Sequence, residues 1–366
     1  MLIDIDKAKE LVIEAGLEIA RSGLISRTWG NVSCRVSDTE FVITPSGRAY
    51  DRLSPKDIVA VRIADAGYEG SVLPSSEKNV HAAVYRIRPD IGFVIHTHQD
   101  YASAVSALDA DLTGIPPEYE RLLGKRVFCA KYAVSGSRKL VDEIIFALCE
   151  KKSHAMLIAH HGVLCMGEDI RQAFDAANEL EAYCRSYVRN ICGYKDESDH
   201  AVSDDALSGT REDLADLTEP YRTICREIYA ARPDISAIAF TSAPFVLPAS
   251  VGRRKIYPHL DDFAQILGVN VRVISIDPAE PAEAAARTVK ALKHRNGVIM
   301  NGIGALCCGT TPGDAVAARH LLVKNCRTLV FLEAKRPSRT PRAIPALAAF
   351  RLRRFYLTQY APRIND

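Results

Sequence analysis

Apolar residues recur at two spacings along the first half of the chain, and the spacings alternate. From Asp6 to Ser22, Ala8, Leu11, Val12, Ala15, Leu17 and Ile19 form a helical stripe, with Gly23 as a stop. From Thr28 to Val36 the chain turns into a strand; Phe41–Thr44 is a second, closed by Pro45-Ser46-Gly47, and Asp57–Arg62 a third. Pro74 opens a helix that runs to Pro89, with Ser75 or Ser76 as its N-cap. A β-branched run around His96 is the next strand. Then come a short strand at Val127–Cys129, a helix at Arg138–Lys151, a buried strand at Ala155–Ala159 and a long helix at Asp169–Asn190. Strands and helices alternate, which predicts a layered α/β domain.

From Lys195 to Asp216 the pattern breaks into a polar, acidic stretch that reads as a boundary. Beyond it the first pattern returns. Tyr85-Arg86-Ile87-Arg88-Pro89-Asp90-Ile91 reappears as Tyr229-Ala230-Ala231-Arg232-Pro233-Asp234-Ile235, and Gly162–Gly167 as Gly304–Gly309. Cys184-Arg185 matches Cys326-Arg327. The expected division is a first domain over 1–200, a diverged copy over 215–335 and a basic arm over 336–366.

Composition adds little to this picture. The chain has 366 residues, 48% apolar and 25% charged, and a net charge of +2, with nothing that asks for nucleic acid or membrane. The N-terminus goes straight into a helical pattern and reads as no signal peptide. Ten scattered Cys without a C-x-x-C fit a reducing cytoplasm.

The chemistry lies in three pieces of the first copy. In Val94-Ile95-His96-Thr97-His98 two His sit two apart on a strand, so both imidazoles share one face. Leu73-Pro74-Ser75-Ser76-Glu77 lies upstream and His160-His161-Gly162 downstream. Together they offer three nitrogen donors to a metal ion with a carboxylate beside it, an open set suited to catalysis. Gly30-Asn31, Ser46-Gly47 and Ser75-Ser76 add turn amides and hydroxyls suited to an anion such as a phosphate. Arg48 reads as a solvated side chain. In the second copy His96 becomes Phe240, His98 becomes Ser242, His161 becomes Ile303 and Glu77 falls near Tyr221. The fold-keeping residues stay and the ligands go, so the histidines are not needed to build the fold.

Over residues 5–195 these pieces, with Gly30-Asn31-Val32-Ser33, Ile43-Thr44-Pro45-Ser46-Gly47 and Arg88-Pro89-Asp90, resemble the class II aldolase/adducin superfamily, which contains the L-fuculose-1-phosphate aldolases. The resemblance implies a three-layer α/β/α domain with a mostly antiparallel central sheet. It implies zinc on His96, His98 and His161, with Glu77 as fourth ligand or base, and Mn2+, Fe2+ or Co2+ as admissible alternatives. It implies a substrate phosphate near Gly30, Asn31, Ser46, Gly47, Ser75 and Ser76. The implied reaction is carbon–carbon bond formation or cleavage in a small sugar phosphate, with a dihydroxyacetone phosphate-type fragment and a metal-stabilised ene-diolate. Same-fold epimerases, dehydratases and decarboxylases, and non-catalytic adducin-like assembly domains, are the alternatives.

The resemblance also implies a homo-oligomer in which a neighbour supplies a Tyr acid. Tyr119 is the nearest match. Two tandem chains could build a pseudo-fourfold ring, with Tyr257, His259 or the tail as the acid. In the tail, Lys335 and seven Arg stand against Asp366, and Ala343–Tyr360 reads as an arm packing on another domain. His81 and His154 read as structural or surface groups; His294 and His320 lie on helices of the second copy.

Overall fold

The computed structural model describes residues 3–22, 24–25, 29–149, 153–194, 208–210 and 213–360. Gly23, Thr28, Lys151, most of the acidic stretch from Lys195, and the end of the tail lie outside the described residues. The chain divides into two compact units, 1–188 with 359–366, and 189–358.

In the first unit, α1 (Ile5–Arg21) leads into β1 (Gly30–Arg35), β2 (Glu40–Ile43) and β3 (Val59–Arg62). Next come α2 (Lys78–Ile87), β4 (Phe93–Thr97), α3 (Asp100–Ser106) and a small separate hairpin, β5 (Leu112–Thr113) and β6 (Arg126–Val127), flanking the short α4 (Glu120–Leu123). β7 (Cys129–Ala130), α5 (Arg138–Leu148), β8 (Ala155–Ile158), β9 (Gly162–Gly167) and α6 (Ile170–Cys192) complete it. Seven strands form one sheet in the order β3-β2-β1-β4-β9-β8-β7. Every pairing is antiparallel except β7 with β8. Val80, Val84, Leu140 and Ile144 of α2 and α5 pack on Phe41, Ile43, Val94, Met156 and Leu164 of one face. α1, α3 and α6 serve the other; there Glu181 of α6 accepts the N–H groups of Tyr101 and Ala102, both at 2.9 Å, and so closes the N-terminus of α3. This is the α/β/α layering with a mostly antiparallel sheet that the family resemblance implies.

Two starts differ from expectation. Asp57 belongs to a 3-10 turn, Pro55–Asp57, where its carboxylate closes a capping box on Ser54, so the third strand begins at Val59. α2 begins at Lys78, and neither Ser75 nor Ser76 caps it. Pro74 is instead bridged to Pro45, and the Ser75 N–H donates to the Thr44 carbonyl at 3.0 Å. The sheet edge holds this segment extended, so Glu77 becomes the cap residue.

The second unit rebuilds the same core. It contains β10 (Ser208–Thr210), α7 (Tyr221–Ala231), β11 (Ala237–Thr241), α8 (Val246–Ser250), β12 (Lys255–Ile256) and α9 (Asp261–Ile266). β13 (Val271–Ile274), α10 (Pro281–Ala291), β14 (Gly297–Met300), β15 (Gly304–Gly309), α11 (Pro312–Lys335) and α12 (Ala346–Phe355) follow. Its sheet runs β10-β11-β15-β14-β13-β12. The registers superpose: Phe93 opposes Gly167 and His96 opposes Leu164, while Ala237 opposes Gly309 and Phe240 opposes Leu306. β10 takes the place of β1 as a stub, and among the described residues the sheet has no strands where β2 and β3 stand in the first copy.

The arm packs within this second unit, α12 against α9. The Ile344 N–H donates to the Pro258 carbonyl at 2.9 Å, and the Arg353 guanidinium caps the carbonyl end of α9 at Gln265 and Ile266, at 2.7 and 2.6 Å. Burial lowers Arg353 to about 10. His259 is buried with its ring bonded to the Arg342 carbonyl, so it ties down the arm. Tyr257 remains half exposed. No helix among the described residues is long and apolar enough to cross a membrane.

Candidate metal centre

Strand β4 delivers His96 from its last turns and His98 from just beyond its end. The antiparallel partner β9 begins at Gly162, so the turn between β8 and β9 brings His161 alongside. The three Nε2 atoms converge: His96 to His98 at 3.1 Å and His96 to His161 at 3.2 Å. Among the described residues this trio is the group of ligand atoms close enough to share one ion, and all three are buried. His160 takes a left-handed backbone, with φ 60°, and its ring stands edge-on to Tyr132 at 5.5 Å. That turn sends His160 one way and His161 into the cluster.

Gly162 is what allows the close approach. A Cβ there would lie 2.4 Å from the Thr97 carbonyl oxygen and 3.3 Å from ring atoms of both His96 and His98. Gly162→Ala is therefore expected to lower stability by about 1–3 kcal/mol in urea unfolding. Divalent-ion affinity should fall with it, because the strand and the two rings must give way together.

The protonation pattern follows from the partners. The His96 Nδ1–H donates to the Val163 carbonyl at 2.8 Å. A carbonyl only accepts, so in the neutral ring Nε2 presents its lone pair. That lone pair faces two other imidazole nitrogens and Glu77 Oε2, at 3.1 Å. Glu77 Oε1 lies 3.1 Å from His161 Nε2 and accepts the Ser135 hydroxyl at 3.2 Å. Burial pushes the Glu77 carboxyl up, but the imidazoles of His96, His161 and His98 outweigh it and hold it well below the usual range. Lone pairs and a carboxylate crowded into one buried spot are a donor set that a cation completes. The residues fit a divalent metal.

Glu77 has a further buried partner. Asn31 of β1 stands opposite His96 and donates its Nδ2–H to Glu77 Oε2 at 2.9 Å. Its Oδ1 meets His81 Nε2, and His81 Nδ1 meets the Ser33 hydroxyl at 2.6 Å. Ser33 in turn meets the Tyr85 hydroxyl at 2.7 Å. His81 is thus a fully buried member of the site's surroundings. Its signal was present in the sequence, since Glu77, His81 and Tyr85 are spaced four apart on a helix, and Asn31 and Ser33 two apart on a strand.

Burial lowers the His81 imidazole to about 3 from the ordinary 6.5. The unfolded chain then binds a proton that the folded chain refuses. The contribution is present above the ordinary value and is lost as pH falls toward 3. Urea unfolding over that window should show a slope steeper in the wild type than in His81→Gln, by up to ~1.4 kcal/mol per pH unit.

The Pro45–Pro74 bridge sets Ser46 and Gly47 beside Ser75 and Ser76, at the start of the segment that carries Glu77. The Ser46 N–H donates to the Leu73 carbonyl, and Ser75 Oγ accepts the Glu77 N–H at 3.3 Å. Ser75 is buried and Ser76 exposed. Gly30 lets β1 lie close, since a Cβ there would come 2.9 Å from the His96 carbonyl oxygen. Arg48 is exposed, as a solvated side chain would be, and is also paired with Asp57. Tyr119 ends a 3-10 turn, half exposed, with its ring 5.3 Å from that of Tyr183.

The second copy shows the same place without ligands. Tyr221 and Phe240, at the positions of Glu77 and His96, meet edge to face at 5.0 Å. With Ile303, at the position of His161, they pack on one apolar core. The profile of the Class II Aldolase and Adducin N-terminal domain matches residues 10–188 and again 220–330. The chain belongs to the class II aldolase and adducin family, as a tandem repeat. It is 32% identical over 218 residues to the L-fuculose phosphate aldolase of Escherichia coli (strain K12), spanning 60% of this chain and 95% of that protein. It is 35% identical over 188 residues to a 5-methylthioribulose-1-phosphate/5-deoxyribulose-1-phosphate aldolase of Escherichia coli O45:K1, spanning 51% of this chain and 85% of that protein. A solved L-fuculose 1-phosphate aldolase aligns with 29% identity and a TM-score of 0.48, over 52% of this chain and 88% of its own.

Proposed function

We propose that this protein is a divalent-metal-dependent aldolase that breaks and makes a carbon–carbon bond in a small ketose 1-phosphate. The observation that carries this reading is one buried carboxylate, Glu77, set against three converging imidazole nitrogens. The names of the relatives, aldolases of deoxy-sugar phosphates, support the substrate class.

His96, His98 and His161 would hold the ion. Zinc suits three neutral imidazoles, and Mn2+, Fe2+ or Co2+ would also be accepted. When bound, the ion supplies Lewis-acid polarisation of a carbonyl or hydroxyl oxygen. Glu77 serves as a ligand while no substrate is present. With substrate it moves the proton on the carbon next to the carbonyl. Asn31 and Ser135 each donate to one of its oxygens, which fixes the plane of the carboxylate. Ser46, Gly47, Ser75 and Ser76 would receive the phosphate at the bridged loops, and Gly30 admits the backbone there. Asn31 then acts through Glu77, with its amide already engaged at both ends. Tyr119 is the candidate acid for the aldehyde oxygen, lent to a neighbouring chain of a homo-oligomer.

The test is a cleavage screen of zinc-loaded protein over ketose 1-phosphates. Release of dihydroxyacetone phosphate and an aldehyde is expected from at least one. Stoichiometric metal with no cleavage across the panel would turn the reading toward another reaction of the fold.

A further inference from the structure

Between α2 and β1 runs a buried polar seam that joins Glu77 to the interior of the fold. Four helix residues rise about 6 Å. Two strand residues rise about 6.6 Å. Glu77, His81 and Tyr85 on α2 therefore step in time with Asn31 and Ser33 on β1, and the side chains interleave in the order Glu77, Asn31, His81, Ser33, Tyr85. Arg35, the next strand residue on that face, closes the far end with its guanidinium 4.8 Å from the centre of the Tyr85 ring.

The direction of every hydrogen bond in the seam is forced from one end. The Asn31 NH2 faces Glu77 and donates to Oε2 at 2.9 Å. Oδ1 then faces His81, whose Nε2 must carry the proton. In the neutral ring Nδ1 is left as acceptor, so Ser33 donates its hydroxyl to it, and Tyr85 donates to Ser33. A flip of any one member puts two acceptors or two donors face to face in a dry interior, at a cost that keeps the set together. The second copy shows that the fold does not require this arrangement. There the places of Glu77, His81 and Tyr85 are held by Tyr221, Cys225 and Tyr229, and Gly209 stands where Ser33 does. The seam was lost together with the ligands.

We propose that His81 is a positioning residue: its Nε2–H fixes the Asn31 amide so that the NH2 faces Glu77 and aligns that carboxylate with the three histidines. The inference rests on the reading of Glu77 and the histidines as a metal site. Its consequence is a directional one. What matters at position 81 is a donor at the place of Nε2, rather than bulk or an imidazole as such.

Two measurements test it. In apo protein labelled with 15N-histidine, the His81 ring, assigned by the signal lost in His81→Cys, should report the neutral Nε2–H tautomer. An Nδ1–H tautomer or an imidazolium at neutral pH would overturn the proposal whatever the protein's activity. The second is a Co2+ titration of four proteins. His81→Cys and His81→Asn should bind about ten- to a hundred-fold more weakly than wild type. His81→Gln, whose amide N–H reaches the place of Nε2, should recover most of the loss, whereas Asn reaches only as far as Nδ1. Equal losses in Gln and Asn, or none in Cys, would refute the positioning role. Failure of the wild type to bind Co2+ would instead refute the metal site, leaving the tautomer measurement to judge the seam.

Discussion

Replacement of Glu77 by Gln is expected to lower turnover of a ketose 1-phosphate by about 10²–10⁴-fold, with little change in thermal stability. The substitution keeps the shape and removes the charge. In the wild type both oxygens accept: Oε2 from Asn31, and Oε1 from Ser135 with His161 close by. A Gln has one acceptor and one NH2. Its oxygen can still take the Asn31 N–H, which keeps the seam behind Asn31 in its wild-type direction. Its NH2 then faces Ser135 and the histidine lone pairs, and no atom remains that can take a proton from carbon. Measuring Co2+ affinity beside kcat separates the two uses of the carboxylate. A large fall in kcat with affinity nearly kept marks a base. A parallel fall marks a ligand. Undiminished turnover would remove Glu77 from the chemistry altogether.

How far such a site can be read without coordinates depended on whether its parts were local. The H-x-H pair was legible because strand alternation alone puts residues two apart on one face, and His161 because it precedes the glycine that opens the partner strand. The repeat was legible from Arg88-Pro89-Asp90 against Arg232-Pro233-Asp234, where in each copy the arginine grips the aspartate two residues on, at 2.6 Å. The start of α2 was not. Pro74 and Ser75 look like a helix entrance, but a bridge to Pro45, far away in sequence, holds them on the sheet edge. Ser135 was missed for the same reason, since nothing near it in sequence points to Glu77. From the sequence His81 reads only as a structural or surface group. Its partners lie on another strand, and only the coincidence of helix and strand rise makes them neighbours.

The largest effect is expected from a residue that the second copy itself supplies. His161→Ile installs the side chain found at Ile303, which packs on an apolar core with Tyr221 and Phe240. The first copy offers the same surroundings in outline: the replaced imidazole is 3% exposed and stacks parallel to His96 with ring centres 5.0 Å apart. An isoleucine can fill that space. It cannot bind an ion, and it removes one of the groups that hold Glu77 ionised. The variant should therefore fold, lose stoichiometric metal and lose cleavage to background. Its thermal unfolding in a chelator should stay close to that of the wild type. The contrast appears when metal is added. A site of the native state gains RT ln(1 + [L]/Kd), about 2.7 kcal/mol at a free ion concentration one hundred times Kd, so the wild type should be stabilised and the variant should not respond. A variant that failed to fold even in the chelator would mean that the histidines support the structure as well as the chemistry. That would set a limit on the comparison between the two copies, in which the second keeps the sheet and the register while an apolar cluster replaces the ligands.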